Sequence, residues 1–459
     1  MRRDNDLGRD PIGRLVFRIA VPSMMAQLVS VLYSIVDRMY IGNIPVVGDV
    51  ALAGVGVCGP VVTMVGSVAS LVGLGGAPLM SIRMGEGDME RARSIMANCF
   101  MMLFVLSVVL VAALLPLREP ILILFGASDV TLPYANGYFS VYLTGTVFAL
   151  LSTGMSQFII CQGFARQAMI SVMLGAGLNI ALDPVFIFVL GMGVEGAALA
   201  TVISQLGSCI FVLAFLFGKR AHVRISFGRY WLSVMRSVLM IGFTPFAIIA
   251  VDNVMIIAMN AVLQRYGGAA RGDMLITCVT IAQSFMLVVT MPLGGISGGT
   301  QTILSFNYGA RNTQRIREAQ KRIFMLCVGY TAFMLAMAWL CGGAFVRLFT
   351  QDEQVGAQAL WAIRVFTLAL IPLGLQYEIV DGFTAVGQVR YSLPLSFWRK
   401  LTYFVALFAL PAAFGAEAAF FAEPISDVLG PAVSIVVYLT GMKRILSRRE
   451  QLGTGGASD

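Results

Sequence analysis

Long hydrophobic runs, separated by short polar segments, recur along the whole chain. Each run has roughly 20 residues or more, enough to cross about 30 Å of hydrocarbon as a helix. Backbone groups in lipid must bond within their own segment, so the runs predict membrane-spanning helices. Residues 103–115 and 211–217 do not alternate polar and apolar positions, which excludes the strands of a membrane barrel. About twelve spans are predicted, at residues 15–42, 51–80, 94–116, 131–162, 168–190, 194–217, 232–264, 274–305, 320–342, 355–386, 391–412 and 418–442.

The composition excludes a soluble protein of this length. Of 459 residues, 58% are hydrophobic and 12% are charged, and the mean hydropathy is +0.84, whereas a soluble chain needs more polar surface. No polar segment is long enough to form a soluble domain, and the polar N-terminus leads directly into the first span, which argues against a cleavable signal peptide. The seven cysteines and single histidine lack paired or ligand spacing, so they predict neither disulfides nor a metal site.

Basic residues are distributed unevenly between alternate loops. If the N-terminus is cytoplasmic, the outer loops hold only four arginines, namely Arg118, Arg265, Arg271 and Arg347. Most other loop arginines and lysines, including Arg2 and Arg3, then lie on the inner side, so the positive-inside rule predicts two cytoplasmic termini. The net charge of +8 is therefore explained by topology, and nucleic acid is not an expected partner. The expected surroundings are a lipid bilayer.

The two halves of the chain repeat each other with an offset of about 223 residues. The matched segments are 19–22 with 241–245, 84–93 with 308–317, and 193–200 with 415–422. Six spans per half is an even number, so both copies have the same orientation, as in transporters whose halves move around a central site. The predicted division is an N-lobe at 1–217, a cytoplasmic linker at 218–231, a C-lobe at 232–446 and a cytoplasmic tail at 447–459.

Five polar residues of the first half fall at a similar depth in the membrane. From the rise of about 1.5 Å per residue, they lie roughly 8 to 10 Å or slightly more below the outer ends of their spans, at Asp37, Tyr138, Asn179, Asp183 and Thr201. Ionisable groups in a span are costly and are functional candidates by default. Two carboxylates in one dehydrated pocket repel, and a proton or Na⁺ relieves that repulsion. The layer therefore predicts an ion-coupling site for H⁺ or Na⁺, in which Na⁺ would have its ligands at Asp37, Asn179, Asp183 and Thr201; the alternative is a satisfied polar network that orients the helices.

The second half carries a different set of charges. Candidates for an ion or substrate site are Asp252, Glu378, Asp381 and Glu423. Lys400 and Asp427 fall near mid-membrane on neighbouring spans and are predicted to form a structural ion pair, because an unpaired charge there is costly. Pro22 interrupts the hydrogen bonds of the first span. It is predicted to act as a hinge, with a passive bend as the alternative.

Three segments, 32–42, 177–188 and 191–201, resemble the multidrug and toxic compound extrusion (MATE) transporters, particularly the bacterial branch of the DNA-damage-inducible protein F. The resemblance implies an all-α membrane protein of the bacterial inner membrane, with twelve transmembrane helices in two pseudo-symmetric six-helix lobes around a cleft. It also implies export of organic cations driven by H⁺ or Na⁺, with coupling residues at Asp37, Tyr138, Asn179, Asp183 and Thr201. Carboxylates of spans 7 and 10 in some members correspond to Asp252, one position out of register, and to Glu378 or Asp381. Lys400 and Glu423 depart from the family pattern.

The favoured function is secondary active export of small, often cationic compounds by a monomer, with no cofactor besides the coupling ion. The chain has no Walker-type nucleotide-binding motif, so neither ATP hydrolysis nor another enzymatic activity is expected. One alternative is a flippase for lipid-linked precursors, which would favour a cationic cavity for phosphates. A channel or a receptor is disfavoured by the duplicated architecture and the buried acids.

Overall fold

The computed structural model describes residues 5–454, and the elements assigned in this range are helical. The N-terminal half contains α1 Ile12–Gly42, α2 Gly48–Gly85, α3 Met89–Leu124, α4 Leu132–Thr144, α5 Thr146–Ile160, α6 Ala165–Pro184 and α7 Gly193–Phe217. The C-terminal half contains α8 Leu232–Gly268, α9 Arg271–Gly309, α10 Thr313–Arg347, α11 Glu353–Thr367, α12 Leu370–Ala385, α13 Val389–Phe414 and α14 Ala422–Thr454. Arg2, Arg3 and the end of the predicted tail, 455–459, lie outside the described residues.

The helices account for the twelve predicted spans. Among the described residues, nine helices are long and apolar enough to cross a membrane, and two bent pairs raise the number to eleven. The pairs α4–α5 and α11–α12 bend by 57° and 48° and occupy the predicted spans 131–162 and 355–386. The remaining span is α13, whose apolar sequence is interrupted by Arg399 and Lys400.

The backbone confirms the internal repeat. Positive φ angles occur at positions 87 and 311, 163 and 387, and 191 and 415, and the members of each pair are separated by 224 residues. Asp88 accepts a hydrogen bond from the backbone N–H of Arg91 and caps α3. Asn312 caps α10 in the same way through Arg315. The same short motif thus turns the chain and starts a helix in both halves.

The helices form two compact units whose boundaries differ from the predicted lobes. Within the described residues, the N-terminal unit contains 5–7 and 21–249, and the C-terminal unit contains 8–20 and 250–454. Whereas the predicted lobes meet at the segment 218–231, the division by contacts falls inside α8, whose first part packs with the N-terminal unit. There Gly75 and Gly242 bring the backbones of α2 and α8 together so closely that neither position has room for a Cβ atom.

The start of α1 belongs to the C-terminal unit because polar contacts hold it there. The guanidinium group of Arg315 donates a hydrogen bond of 2.8 Å to the backbone carbonyl of Asp10. Gly13 faces the side chain of Arg322. Helix α1 continues through Pro22, and the division between the two units falls between Ala20 and Val21, directly before this proline.

The predicted linker and tail are more structured than the sequence suggests. Segment 218–231 packs on the N-terminal unit, where Val223 is buried and its N–H donates to Gln162 at 2.8 Å. Residues 447–454 continue α14 as a helix. Within that extension Glu450 accepts a hydrogen bond from Thr313 and lies 3.3 Å from Arg317.

Candidate functional site

Asp37 and Asp183 come together inside the N-terminal unit, on α1 and α6. Their carboxyl groups are close enough to interact electrostatically. Asp183 is fully buried and Asp37 is partly buried. Two neighbouring carboxylates repel each other at a buried site, and a bound proton or other small cation relieves that repulsion. The pair is therefore suited to hold a proton or another small cation.

Two further predicted residues complete the contact network. The Asn179 amide nitrogen donates to Asp183 Oδ1 at 3.2 Å and to Thr201 Oγ1 at 3.3 Å. Asn179 precedes Asp183 by one helical turn, so both side chains project from the same face of α6. Thr201 joins them from α7.

Three buried oxygen atoms at this site accept no hydrogen bond from the described residues, namely Asp37 Oδ1, Asn179 Oδ1 and Asp183 Oδ2. Buried polar atoms without a partner are unfavourable and require an explanation. Oxygen ligands of this kind suit a hard cation as well as a proton. Within residues 5–454 no group of three or more His, Cys, Asp or Glu side chains has a metal-binding arrangement.

Aromatic residues surround the pair, and two of them escaped the sequence prediction. Tyr138, the fifth predicted residue, is buried, interacts electrostatically with Asp37, and stacks on Tyr142 with 6.2 Å between ring centroids. Tyr142 in turn interacts with the side chain of Gln205, and Tyr33 interacts electrostatically with Asp37. Each of these additional residues lies four positions from a predicted one. Helical spacing from a predicted residue was the signal that would have found them.

The backbone next to Asp183 is unusual for a local reason. Pro184 has no N–H to donate and follows Asp183 directly, and the chain continues as a short π-helix at Val185–Val189. Such widened turns within helices occur frequently at functional sites. The sequence Asp183-Pro184 thus places the carboxylate at the point where the regular α-helix ends.

The predicted Lys400–Asp427 pair requires correction. Lys400 Nζ contacts Asp252 on α8, while the Arg399 guanidinium lies 2.5 Å from Asp427 and 3.9 Å from Glu423 on α14. Adjacent residues of a helix point about 100° apart, so Arg399 and Lys400 reach different neighbours. These five residues form what we call the C-lobe charge network.

The remaining candidates of the second half, Glu378 and Asp381, form a separate group on α12. Glu378 is buried, and neither of its carboxylate oxygens has a hydrogen-bond partner among the described residues. Asp381 interacts instead with the polar side chains of Ser297 and Gln301 of α9. The four predicted C-lobe candidates are therefore divided between two groups.

Loss of the central cation of the charge network is expected to destabilise the fold. Arg399→Met leaves the fully buried Asp427 without its partner, which should lower the free energy of unfolding by about 3–5 kcal/mol. The control is Arg271→Met, which removes an exposed partner of Glu417 and should cost about 0–1 kcal/mol. Denaturant unfolding in detergent compares the two variants. Equal losses would show that Asp427 does not depend on Arg399.

A chain of about twelve apolar spans, built from two halves that repeat each other, is a polytopic membrane protein with the architecture of a transporter. Residues 22–185 and 249–429 match the family described as MatE. Because this match covers most of the chain, the protein belongs to the MatE family, the multidrug and toxic compound extrusion transporters.

Individual relatives support the same assignment. The multidrug export protein MepA of Staphylococcus aureus strain MSSA476 is 24% identical over 94% of both chains. A solved outward-facing structure of a MATE family transporter of the MOP superfamily has a TM-score of 0.89 and 22% identity, over 98% of this chain and all of that one. A MOP superfamily transporter from Pyrococcus furiosus, described as having a binding pocket of reverse polarity, has a TM-score of 0.88 and 23% identity, over 97% and 99%. These structures share the twelve-helix, two-lobed fold with this chain.

Proposed function

We propose that this transporter exports small amphipathic and cationic organic compounds by secondary active antiport. Uptake of a coupling ion, H⁺ or Na⁺, at Asp37 and Asp183 drives the alternation between the inward-facing and the outward-facing conformation. The relatives named as multidrug export proteins support this substrate class. The tail and the N-terminus are predicted to be cytoplasmic, and a monomer is predicted to be sufficient.

The observation that carries the proposal is the close pair of carboxyl groups with unpartnered oxygens. In the ionised state Asp37 and Asp183 repel each other in a poorly hydrated site, and a bound cation removes this repulsion. Binding and release of one cation therefore change the preferred distance between α1 and α6. A ligand drives a conformational change only through such a difference in affinity between two states.

The contacts favour H⁺ over Na⁺ as the coupling ion. Two adjacent carboxyl groups can share one proton, and the amide of Asn179 donates to Asp183 through its nitrogen, which directs a hydrogen towards that carboxyl group. Na⁺ would require the amide oxygen to face it instead. Pro22 fits the role of a hinge because it stands at the division of α1 between the two compact units.

The flippase alternative has weaker support. Recognition of a lipid-linked phosphate needs uncompensated basic residues, whereas Arg399 and Lys400 are contacted by the carboxylates of Asp252, Glu423 and Asp427. The N-lobe site is acidic. Both features favour a cationic substrate over a lipid-linked phosphate.

Transport by the purified protein in proteoliposomes tests the proposal. When ethidium export is measured, collapse of the proton gradient alone should stop it. Collapse of the Na⁺ gradient alone should leave the export rate unchanged. Arrest by Na⁺ collapse alone would reverse the ion assignment. Export that persists without either gradient would rule out the antiport mechanism.

A further inference from the structure

The C-lobe charge network contains more carboxylates than cations. Asp252, Glu423 and Asp427 supply three negative charges, and Arg399 and Lys400 supply two positive charges, which leaves one negative charge if all five are ionised. An uncompensated charge in a buried site is strongly unfavourable. The network is therefore electrostatically suited to take up one additional cation.

Asp252, which contacts Lys400, is the exposed member of this network. The Asp252 side chain is 46% exposed, whereas that of Lys400 is 5% exposed and reaches Asp252 from the protein side. Charged side chains within spans face water or protein rather than lipid. A dissolved cation can therefore approach Asp252 without passing Lys400.

A second partner is available to the Lys400 ammonium group. Asp427 is fully buried, and its Oδ2 atom accepts no hydrogen bond from the described residues. Glu423 and Asp427 both interact electrostatically with Lys400. The flexible four-carbon stem of lysine lets its ammonium group move between neighbouring acceptors. Lys400 can thus leave Asp252 without becoming an unpaired charge.

We propose that Asp252 binds the positively charged centre of an organic monocation, and that Lys400 occupies this carboxylate as an internal substitute until the substrate displaces it towards Asp427 and Glu423. The inference rests on the proposed function, in which the substrates are organic cations. It adds a substrate site in the C-terminal unit that is separate from the ion site at Asp37 and Asp183.

The positions of the neighbouring groups determine how the exchange works. Arg399 keeps one oxygen of Asp427 at 2.5 Å, so the free Oδ2 atom remains oriented within the network. Gly430 allows this arrangement, because a Cβ atom there would lie 2.8 Å from the Arg399 side chain. Displacement of Lys400 therefore leaves both basic residues paired and brings the network to charge balance with the substrate included.

Equilibrium binding of tetraphenylphosphonium to the full-length protein in detergent tests the inference. Lys400→Met removes the internal competitor and is expected to lower the Kd by about tenfold, and Asp252→Asn to raise it by about tenfold. When Lys400→Met is combined with Asp252→Asn, Lys400→Met should no longer lower the Kd. The carboxylate for which Lys400 and the substrate compete is then absent. Lys400→Gln, which keeps a hydrogen-bond donor but no charge, serves if Lys400→Met does not fold.

Two controls separate the charge effect from general damage. Lys443→Met removes an exposed lysine of α14 and should leave the Kd unchanged. The neutral probe N-phenyl-1-naphthylamine should bind equally to all variants. Unchanged or weaker tetraphenylphosphonium binding by both Lys400 variants would overturn the inference. If the wild-type protein nevertheless exported ethidium in response to the proton gradient, this result would refute only the substrate site at Asp252. The proposed function would still be supported.

Discussion

Asp183→Asn is expected to reduce gradient-driven ethidium export to the background of empty liposomes, and Asp37→Asn is expected to do the same. The amide has the shape of the carboxyl group but cannot bind and release a proton. With one member of the pair permanently neutral, the repulsion that a coupling ion would relieve no longer arises. The affinity difference between two states that drives the cycle is then lost. Initial rates in proteoliposomes with an imposed proton gradient measure the effect.

The same substitutions should not unfold the protein. Asn at position 183 keeps the volume of the buried side chain and removes a charge–charge repulsion, so its melting temperature in detergent should equal or exceed that of the wild type. Asp129→Asn, in the exposed turn between α3 and α4, is the control and should export normally. Export at the wild-type rate by either pair variant would refute the coupling role of that residue.

The fold was largely predictable because its strongest determinant is local in sequence. Each apolar run is long enough to span the bilayer, and the constant offset between the halves identified the duplication that the positive φ angles at 163 and 387 confirm. The broken spans were not predicted, because a bend such as that between α4 and α5 leaves no change in hydropathy. The close packing of α2 on α8 at Gly75 and Gly242 also leaves no signal in a single sequence, because it depends on how two distant helices meet.

The N-terminal site was predictable for a different reason. Depth along a helix follows directly from residue number, and matched depth placed Asp37, Asn179, Asp183 and Thr201 in one layer that the structure joins by short contacts. Their functional role remains a prediction. Depth alone does not determine which direction around the helix a side chain points.

The charge network of the second half shows this limit. The sequence predicts a similar depth for Lys400 and Asp427, but Lys400 points towards α8 and Arg399 points towards α14. Rotation about the helix axis depends on packing between helices, for which a single sequence carries little information. The repeat gave no help, because the first half has no basic residues at the equivalent positions 176 and 177.

Gly242→Ala is expected to destabilise the N-terminal unit by about 3 kcal/mol or more. A Cβ atom at this position would overlap the backbone carbonyl of Leu71, and one at Gly75 would overlap that of Val238. Both obstacles are backbone atoms, so no side-chain rotation relieves the overlap and α2 and α8 must separate. Gly66→Ala is the matched control, since Gly66 lies on α2 with no neighbour within 4 Å of the added atom.

The control should be neutral or stabilising by up to about 1 kcal/mol, because alanine favours a helix over glycine. Thermal unfolding in detergent then separates the two variants by several degrees, and equal melting temperatures would show that α2 and α8 do not need this contact. Helix α8 divides between the two units at Ile249 and Ala250, and Gly242 lies in the part that belongs to the N-terminal unit. If transport requires α8 to move with both units, Gly242→Ala should reduce the rate of ethidium export. The reduction should be larger than that caused by a surface substitution with the same melting temperature.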